Sequence, residues 1–249
     1  MKLRFLGTGY FPLPKRKNIG HGERDSASVL IDGALLPDPT DTVFRYATRF
    51  SMSDMLDRVH TVLISHSHLS HCSADAVRRL SERRPLTVLA SEAVLSLLPV
   101  SDNLTPVPLV PFGTACVGEY AVTALPATHT SVLPGEVCLN FLIQGDRRLF
   151  YALDGGRFLP DVADFLGRHP VDAMLLDGAY GEETPEGENE HLSLASFETL
   201  AAEAATRGFF RSTPRYRWTH LPEDAGDALL RRAKAMGLFV PHDGYFCTL

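Results

Sequence analysis

The sequence predicts a single α/β domain in which helices cover the faces of β-sheets. Three observations support this prediction. About ten strand patterns and five helix patterns alternate through both halves of the chain. Apolar residues make up 45% and charged residues 22% of the 249 residues, as in a globular protein with a sizeable core. No linker rich in Gly, Ser or Pro divides the chain, so we expect one domain over residues 1–249.

The predicted strands are short runs of alternating or continuous apolar residues that end at turn residues. The first strand, Lys2–Leu6, alternates polar and apolar residues and stops at Gly7. Residues 10–25 contain prolines, glycines and basic residues, which predicts a loop, and a hairpin around Gly33 follows. The other strands are predicted at Ser26–Asp32, Ala34–Leu36, Val59–Ser65, Leu86–Ala90, Thr105–Val110, Tyr120–Pro126, Val137–Ile143, Arg148–Leu153, Val171–Leu176 and Tyr216–Thr219.

The predicted helices carry apolar residues at helical spacing and are bounded by capping residues. Ser91 is placed to cap a short helix, and Gly208 stops a longer one. Pro222 is expected in the first turn of the last helix, with Gly237 after its end. The helices are predicted at Ser73–Arg84, Ser91–Leu98, Phe158–Arg168, Leu194–Arg207 and Pro222–Met236.

The composition argues against several classes of protein. The 24 Lys and Arg against 30 Asp and Glu give a net charge of −6, which disfavours broad binding to nucleic acids or anionic membranes. No apolar run approaches the roughly 20 residues of a membrane-spanning helix, and the first residues do not resemble a signal peptide. The four cysteines are scattered along the chain, which favours free thiols and predicts a cytoplasmic protein.

The strongest chemical signal is a group of three histidines, His66, His68 and His71, directly after a predicted buried strand. Functional sites in α/β folds gather at the carboxyl ends of strands, and neutral imidazole is the commonest metal ligand. A solvated polar loop is the alternative. Three more ligand-type residues repeat the same context at later strand ends, namely His129, Asp154 and His220.

Alone, each of these later residues has an ordinary explanation. A single histidine after a strand is more often a surface or satisfied residue, and Asp154 precedes Gly155-Gly156, as turn residues do. The repetition of one context at three strand ends favours a metal site.

In this order the residues resemble the metallo-β-lactamase superfamily of hydrolases, whose pattern is a strand ending in H-x-H-x-D-H and then a histidine, an aspartate and a final histidine. The resemblance covers nearly the whole chain and implies a four-layer αββα sandwich with metals at one edge. Asp38 matches an early family aspartate that orients the site without necessarily binding metal. The metal ligands that the resemblance implies are His66, His68, His71, His129, Asp154 and His220.

Two further features are similar to the ribonuclease Z and phosphonate-pathway phosphodiesterase branch of that superfamily. One is the opening Leu6–Gly9 followed by Pro12, and the other is His191, which precedes the penultimate helix. The resemblance makes His191 a catalytic candidate that protonates a leaving oxygen or holds a phosphoryl oxygen. The alternative is an exposed residue just before a helix cap at Ser193.

The chain departs from the family pattern at Ser70, which stands where the family has an aspartate ligand of the second metal. A serine hydroxyl is a poor ligand at neutral pH. The first metal set (His66, His68 and His129, with Asp154 bridging) is expected to be intact, whereas the second keeps His71, Asp154 and His220 and should bind metal more weakly. Cys72 is adjacent and is either a compensating thiolate ligand or a packed residue.

The concentrated basic stretch at residues 15–24 is either an anion-binding loop, with His21 as a substrate-binding candidate, or a solvated surface loop. Nothing in the chain resembles the long basic insertion with which ribonuclease Z grips tRNA. A nucleic-acid substrate is therefore disfavoured, and a small anionic molecule is preferred.

The sequence predicts a metal-dependent hydrolase that uses a metal-bound hydroxide to cleave a small anionic phosphodiester. One or two divalent ions are expected, with zinc preferred and manganese or iron also suited to a His and Asp ligand set. Two alternatives remain: a lactone, thioester or amide hydrolase of the same fold, and a non-catalytic metal- or ligand-binding protein in which Ser70 marks lost catalysis. The sequence leaves the oligomeric state open, a homodimer included.

Overall fold

The computed structural model describes residues 1–10, 24–223 and 225–249. The candidate His21 and almost all of the basic stretch at residues 15–24 lie outside the described residues, so their predicted roles stay predictions.

The described residues form fourteen strands and six α-helices. The strands are β1 (Lys2–Gly7), β2 (Ser28–Ile31), β3 (Leu35–Pro37), β4 (Thr61–Leu63), β5 (Leu86–Ala90), β6 (Leu104–Pro108), β7 (Thr114–Val117), β8 (Tyr120–Pro126), β9 (Leu139–Gln144), β10 (Arg148–Ala152), β11 (Ala173–Leu176), β12 (Tyr216–Trp218), β13 (Leu238–Phe239) and β14 (Phe246–Thr248). The helices are α1 (Asp41–Arg49), α2 (Ala74–Ser81), α3 (Glu92–Leu95), α4 (Pro160–Arg168), α5 (Leu194–Arg207) and α6 (Asp227–Ala235), with a 3₁₀ helix at Ser53–Arg58.

The strands form two seven-stranded mixed sheets. The first has the order β14-β1-β2-β3-β4-β5-β6, and β3 to β6 run parallel to one another. The second has the order β13-β12-β11-β10-β9-β8-β7, and β10 to β13 run parallel. Parallel strands place their carboxyl ends at the same edge of a sheet, so each sheet has one edge at which loops after successive strands meet.

Three apolar cores make this a four-layer αββα sandwich, as predicted. One core lies between the sheets and includes Phe5, Phe141 and Tyr151. A second packs α1, α2 and α3 against the outer face of the first sheet, and a third packs α4, α5 and α6 against the outer face of the second. Burying both faces of each sheet explains why β4 and β11 read as continuous apolar runs.

The local signals at helix ends act largely as predicted. Ser91 caps α3 by accepting a hydrogen bond from the Val94 N–H, and Gly208 ends α5 in the left-handed conformation at φ 68°. The last helix differs from its prediction, because α6 begins at Asp227 and Pro222 lies before it. The chain at Leu221 pairs instead with Gly9, and its N–H donates to the Thr8 carbonyl, so this segment is held against the first strand.

The helix α1 and the short strands β7, β13 and β14 were not predicted. Helix α1 is amphipathic, with Val43, Tyr46 and Ala47 buried at helical spacing, and Thr40 accepts a hydrogen bond from the Thr42 N–H at its start. Short edge strands carry too few residues for a period to be recognised. In the described part of the chain, no helix combines the length and the apolar character needed to cross a bilayer.

Candidate metal centre

The candidate site lies where the carboxyl ends of strands from both sheets face each other. Contacts between the sheets fix this edge: the Leu139 N–H donates to the Ser65 carbonyl, and the Tyr151 hydroxyl donates to Asp38 Oδ2 at 2.8 Å. Six strands each lead into the site with one residue shortly after the strand ends. These residues are Asp38 after β3, His66 after β4, His129 after β8, Asp154 after β10, Asp177 after β11 and His220 after β12.

The carboxylate of Asp154 is the centre of the cluster. Its Oδ2 lies 3.1 Å from His66 Nε2, 3.1 Å from His71 Nε2 and 3.4 Å from His129 Nε2. Its Oδ1 lies 2.8 Å from His220 Nδ1. The structure therefore brings four of the predicted histidine ligands around the predicted bridging aspartate.

The fifth predicted histidine, His68, completes the first ligand set. Its Nδ1 lies 3.0 Å from His66 Nε2 and 3.1 Å from His129 Nε2. One ligand atom from each of these three histidines and one Asp154 oxygen all lie within 4.8 Å of one another. Ions of the zinc type bind imidazole nitrogen and carboxylate oxygen at about 2.0–2.2 Å, so one ion can reach this whole set.

The histidines that approach Asp154 are held by hydrogen bonds at their second ring nitrogen. His66 Nδ1 lies 2.9 Å from Ser65 Oγ, and His129 Nδ1 lies 3.2 Å from the Glu190 carbonyl. His71 Nδ1 lies 3.0 Å from Asp38 Oδ2, whose partner oxygen accepts a hydrogen bond from the Ser65 N–H. Metal-binding histidines are usually oriented in this way. Asp38 thus contacts a predicted ligand, His71, and its orienting role stays a prediction.

His191 and His220 share one further carboxylate, that of Asp177. Its Oδ2 lies 2.7 Å from His191 Nδ1, and its Oδ1 lies 3.0 Å from His220 Nδ1. His191 is only 6% exposed, so the reading as an exposed residue before the helix cap is wrong. The rings of Tyr10 and Tyr180 lie edge-on to His191, at centroid distances of 5.2 and 5.1 Å, and limit the access of water.

Three buried polar atoms in the cluster lack a well-aligned hydrogen bond among the described residues: His71 Nε2, His220 Nε2 and Asp154 Oδ1. Two of them have close ion-pair contacts, since His71 Nε2 lies 3.1 Å from Asp154 Oδ2 and Asp154 Oδ1 lies 2.8 Å from His220 Nδ1. Leaving such atoms unpaired in a protein interior is costly, and they usually mark an ion or a water. They belong to the three residues predicted to hold the second metal. A second group of ligand atoms that lie within 4.8 Å of one another comes from Asp154, Asp177, His191 and His220. Asp154 is therefore shared between two groups that could each hold a divalent cation.

Burial and charge divide the histidines into two classes. Burial, reinforced by the repulsion of His71, lowers the pKa of His66 to about 4, and burial also lowers the pKa of His129 to about 4. Burial also tends to lower the pKa of His71 and of His220, but the negative charge of nearby carboxylates outweighs burial. Asp154 and Asp38 together raise the pKa of His71 to about 10, and Asp154 and Asp177 together raise the pKa of His220 to about 9.

His66 and His129 of the first set are therefore neutral at neutral pH, whereas His71 and His220 of the second set carry protons until a cation replaces them. The same ion pairs act on the carboxylate of Asp154. Burial alone would raise the pKa of Asp154, but the positive charges of His220 and His71 hold this pKa well below its ordinary range.

Three of the site residues have a backbone conformation that is rare outside glycine. The φ angles of Asp38, Asp154 and His220 are 47°, 54° and 60°. Non-glycine residues in this region are uncommon and concentrate at functional sites, where the surrounding structure holds them in place. The sharp turn after each strand aims the side chain back towards the opposite sheet.

Asp177 is the site residue that the sequence analysis missed. It follows the buried strand β11 directly, and this is the context that marked His129, Asp154 and His220. The signal was therefore present. Its partner His191 lies 14 residues further along the chain, and only the tertiary fold shows the contact.

The two residues at the departure from the family pattern have different surroundings. Ser70 is half-buried. Cys72 is 6% exposed and packs with Val77 in the core under α2. Burial, with Asp38 and Glu136 nearby, raises the pKa of the Cys72 thiol to about 12, which favours the packed residue over a thiolate ligand.

Residues 30–221 match the family model of the β-lactamase superfamily domain. No curated protein matches the chain. Solved structures do: Zn²⁺-bound PqqB from Methylobacterium extorquens is 16% identical, with a TM-score of 0.78 and 100% of each chain covered. The metallo-β-lactamase fold protein YhfI from Bacillus subtilis is 15% identical, with a TM-score of 0.72 and 99% of this chain and 98% of that chain covered.

A diphosphatase of the PhnP family is also similar, at 17% identity and a TM-score of 0.71, with 100% of this chain and 97% of that chain covered. At these identities the likeness shows a shared fold.

Proposed function

We propose that this chain, which belongs to the β-lactamase superfamily, is a metal-dependent hydrolase that cleaves small anionic phosphodiesters. The observation that carries the proposal is the convergence of His66, His71, His129 and His220 on the two oxygens of Asp154, at 2.8–3.4 Å. A cluster of buried imidazoles around one carboxylate has little use in a metal-free interior. It is the donor set of a dinuclear hydrolase.

Each metal has its own residues in this proposal. His66 Nε2, His68 Nδ1 and His129 Nε2 hold the first metal together with Asp154. Asp154 would also serve the second metal, together with His71 and His220. When bound, divalent ions of this kind lower the pKa of water to near 7 and stabilise negative charge on a phosphoryl oxygen.

His191 is the residue that we assign to the leaving group. Its Nδ1 is engaged by Asp177 at 2.7 Å, which leaves Nε2 as the nitrogen that can face a substrate. Burial opposes protonation, but the charge of Asp177 raises the pKa of His191, so the ring is suited to donate a proton to a departing oxygen.

The charges around the site favour a small substrate with one anionic group. In the described part of the chain, the partners in the ion pairs of Asp38, Asp154 and Asp177 are histidines, and no Lys or Arg pairs with them. Bound metals would supply positive charge that suits one phosphodiester group, and the net charge of −6 disfavours a polyanion such as a nucleic acid. The four scattered cysteines support the further proposal that the protein is cytoplasmic.

Hydrolysis rates on a substrate panel test the proposal. Bis-p-nitrophenyl phosphate represents phosphodiesters, and sets of lactones, thioesters and amides represent the alternative hydrolases. We expect the phosphodiester to be cleaved fastest and His68→Ala to lose metal and activity together. His169→Ala is the matched control, because His169 stacks on Phe165 away from the site. Faster cleavage of a lactone or thioester contradicts the phosphodiester assignment, and metal binding without hydrolysis of any class indicates a binding protein.

A further inference from the structure

We infer that Asp177 is a positioning residue of the second metal site, and that it compensates for the aspartate that Ser70 replaces. The inference rests on the proposed function, because it concerns how the same dinuclear site keeps its second metal with only three protein ligands.

The first step is a parallel between the two histidines of the second set. His71 Nδ1 lies 3.0 Å from the buried carboxylate of Asp38, and His220 Nδ1 lies 3.0 Å from the buried carboxylate of Asp177. Asp154 contacts both rings, with Oδ2 3.1 Å from His71 Nε2 and Oδ1 2.8 Å from His220 Nδ1, and neither Nε2 has a well-aligned hydrogen bond among the described residues. A carboxylate on one nitrogen of an imidazole fixes its tautomer and orientation and makes the other nitrogen a better ligand. Asp177 thus does for His220 what Asp38 does for His71.

The second step is the rigidity of Asp177. Its side chain is 0% exposed, and Oδ1 accepts a hydrogen bond from the Ala179 N–H at 2.9 Å. The Leu192 N–H donates to Oδ2 at 3.3 Å, and the indole N–H of Trp218 donates to the Asp177 carbonyl at 2.8 Å. A carboxylate anchored at both oxygens and at its main chain holds His220 in one orientation, which lowers the entropy lost when the metal binds.

The buried negative charge of Asp177 supports the same role. The family pattern places a negative charge at position 70, where this chain has a neutral hydroxyl. Asp177 adds a buried negative charge behind His220, next to Asp154 on the same ring nitrogen. The negative charge that the family has on a direct ligand at position 70 is thus supplied here by Asp177, which lies behind the ligand His220. In a low-dielectric interior this charge still attracts the cation.

Activity alone cannot test this role of Asp177. Asp177 Oδ2 also holds His191, the proposed proton donor, at 2.7 Å. Any change at Asp177 lowers turnover through His191 as well. The test therefore needs metal affinity as its readout.

The experiment is a competition titration of Zn²⁺ between a chromophoric chelator and metal-free protein, which resolves two binding steps. We expect Asp177→Asn to weaken the second step by about 10–100-fold and to leave the first unchanged. The matched control is Asp172→Asn, because Asp172 is a buried carboxylate at the other end of β11, bonded to the Arg148 N–H. The Asp172→Asn variant should bind both metals with wild-type affinity. Asp177→Glu, which keeps the charge, should bind the second metal more tightly than Asp177→Asn.

A rescue completes the test. Ser70→Asp restores the family carboxylate, and in the Asp177→Asn background it should recover most of the lost affinity for the second metal. Wild-type affinity for the second metal in Asp177→Asn overturns the inference and leaves the proposed function standing. A wild type that binds only one metal also overturns it, with a mononuclear hydrolase remaining. A wild type that binds no metal contradicts the proposed function itself.

Discussion

Asp154 divides the site between its two oxygens. Oδ2 faces His66, His71 and His129, and Oδ1 faces His220. The sequence predicted this residue and the histidines because a short-range signal marks them, a ligand-type side chain directly after a strand. It could not show which atoms meet, or that Asp177 joins His191 to His220, because those contacts depend on how distant strands pack.

The first prediction at the residue scale concerns His191. If it protonates the leaving oxygen, His191→Ala should lower kcat by about 10²–10⁴-fold on a diester with an alkyl leaving group. It should have a much smaller effect on bis-p-nitrophenyl phosphate, because nitrophenolate departs without a proton. Steady-state kinetics on the two substrates measure this difference. Equal losses on both substrates contradict the assignment.

The second prediction concerns the protons displaced by metal. With pKa values of about 4, His66 and His129 are neutral at pH about 7, whereas His71 and His220, at about 10 and about 9, are protonated. The first metal should therefore bind with little proton release and the second with release of up to about two protons. Calorimetry in buffers of different ionisation enthalpy measures both steps. If binding of the first metal releases as many protons as binding of the second, the assignment of protonated histidines to the second site is contradicted.

At the scale of elements, helix α5 holds the segment that carries His191. Ser193 caps the helix in a reciprocal capping box with Ser196, and its hydroxyl lies 2.7 Å from the Thr184 hydroxyl in the preceding loop. The bounds of α5 were predicted correctly because both of its ends carry explicit signals. Helix α1 was missed although its apolar spacing is visible, and β13 and β14 exist only through pairing with distant strands.

The prediction at this scale compares the two ends of α5. Ser193→Ala removes the cap and should destabilise the protein by about 1 kcal/mol. It should also lower kcat, because the cap lies two residues from His191. Gly208→Ala, at φ 68°, should destabilise by a similar amount, about 1 kcal/mol, without changing kcat. Urea unfolding and kinetics on the same preparations separate the two effects, and equal kcat in both variants contradicts the coupling of the cap to the site.

At the scale of the whole molecule, the two sheets are stabilised by their cores and drawn together at the site edge by charged groups. The four-layer fold was predictable from the resemblance, and the family match over residues 30–221 agrees with it. What the sequence could not show is the electrostatic balance at the edge. Protonated histidines neutralise the buried carboxylates when no metal is bound.

This balance predicts how the stability of the metal-free protein depends on pH. The lowered pKa of His66 and His129, about 4, means that the unfolded chain binds more protons below about 6.5, so stability falls as pH decreases from there. The raised pKa of His71 and His220 contributes stability that is present below about 6.5 and is lost as pH rises through about 9–10. Thermal unfolding with a chelator should give the highest Tm near pH 6.5. A Tm that rises steadily from pH 7 to about 9 contradicts the balance.

The central claim is that this chain holds two metals around Asp154, despite serine at position 70. Metal content per chain, measured by inductively coupled plasma mass spectrometry on protein loaded with zinc, manganese or iron and then freed of excess metal, tests it most directly. We expect close to two equivalents in the wild type and a clear loss in His68→Ala. One equivalent or none in the wild type, after loading with each of the three ions, would contradict the binding of two metals.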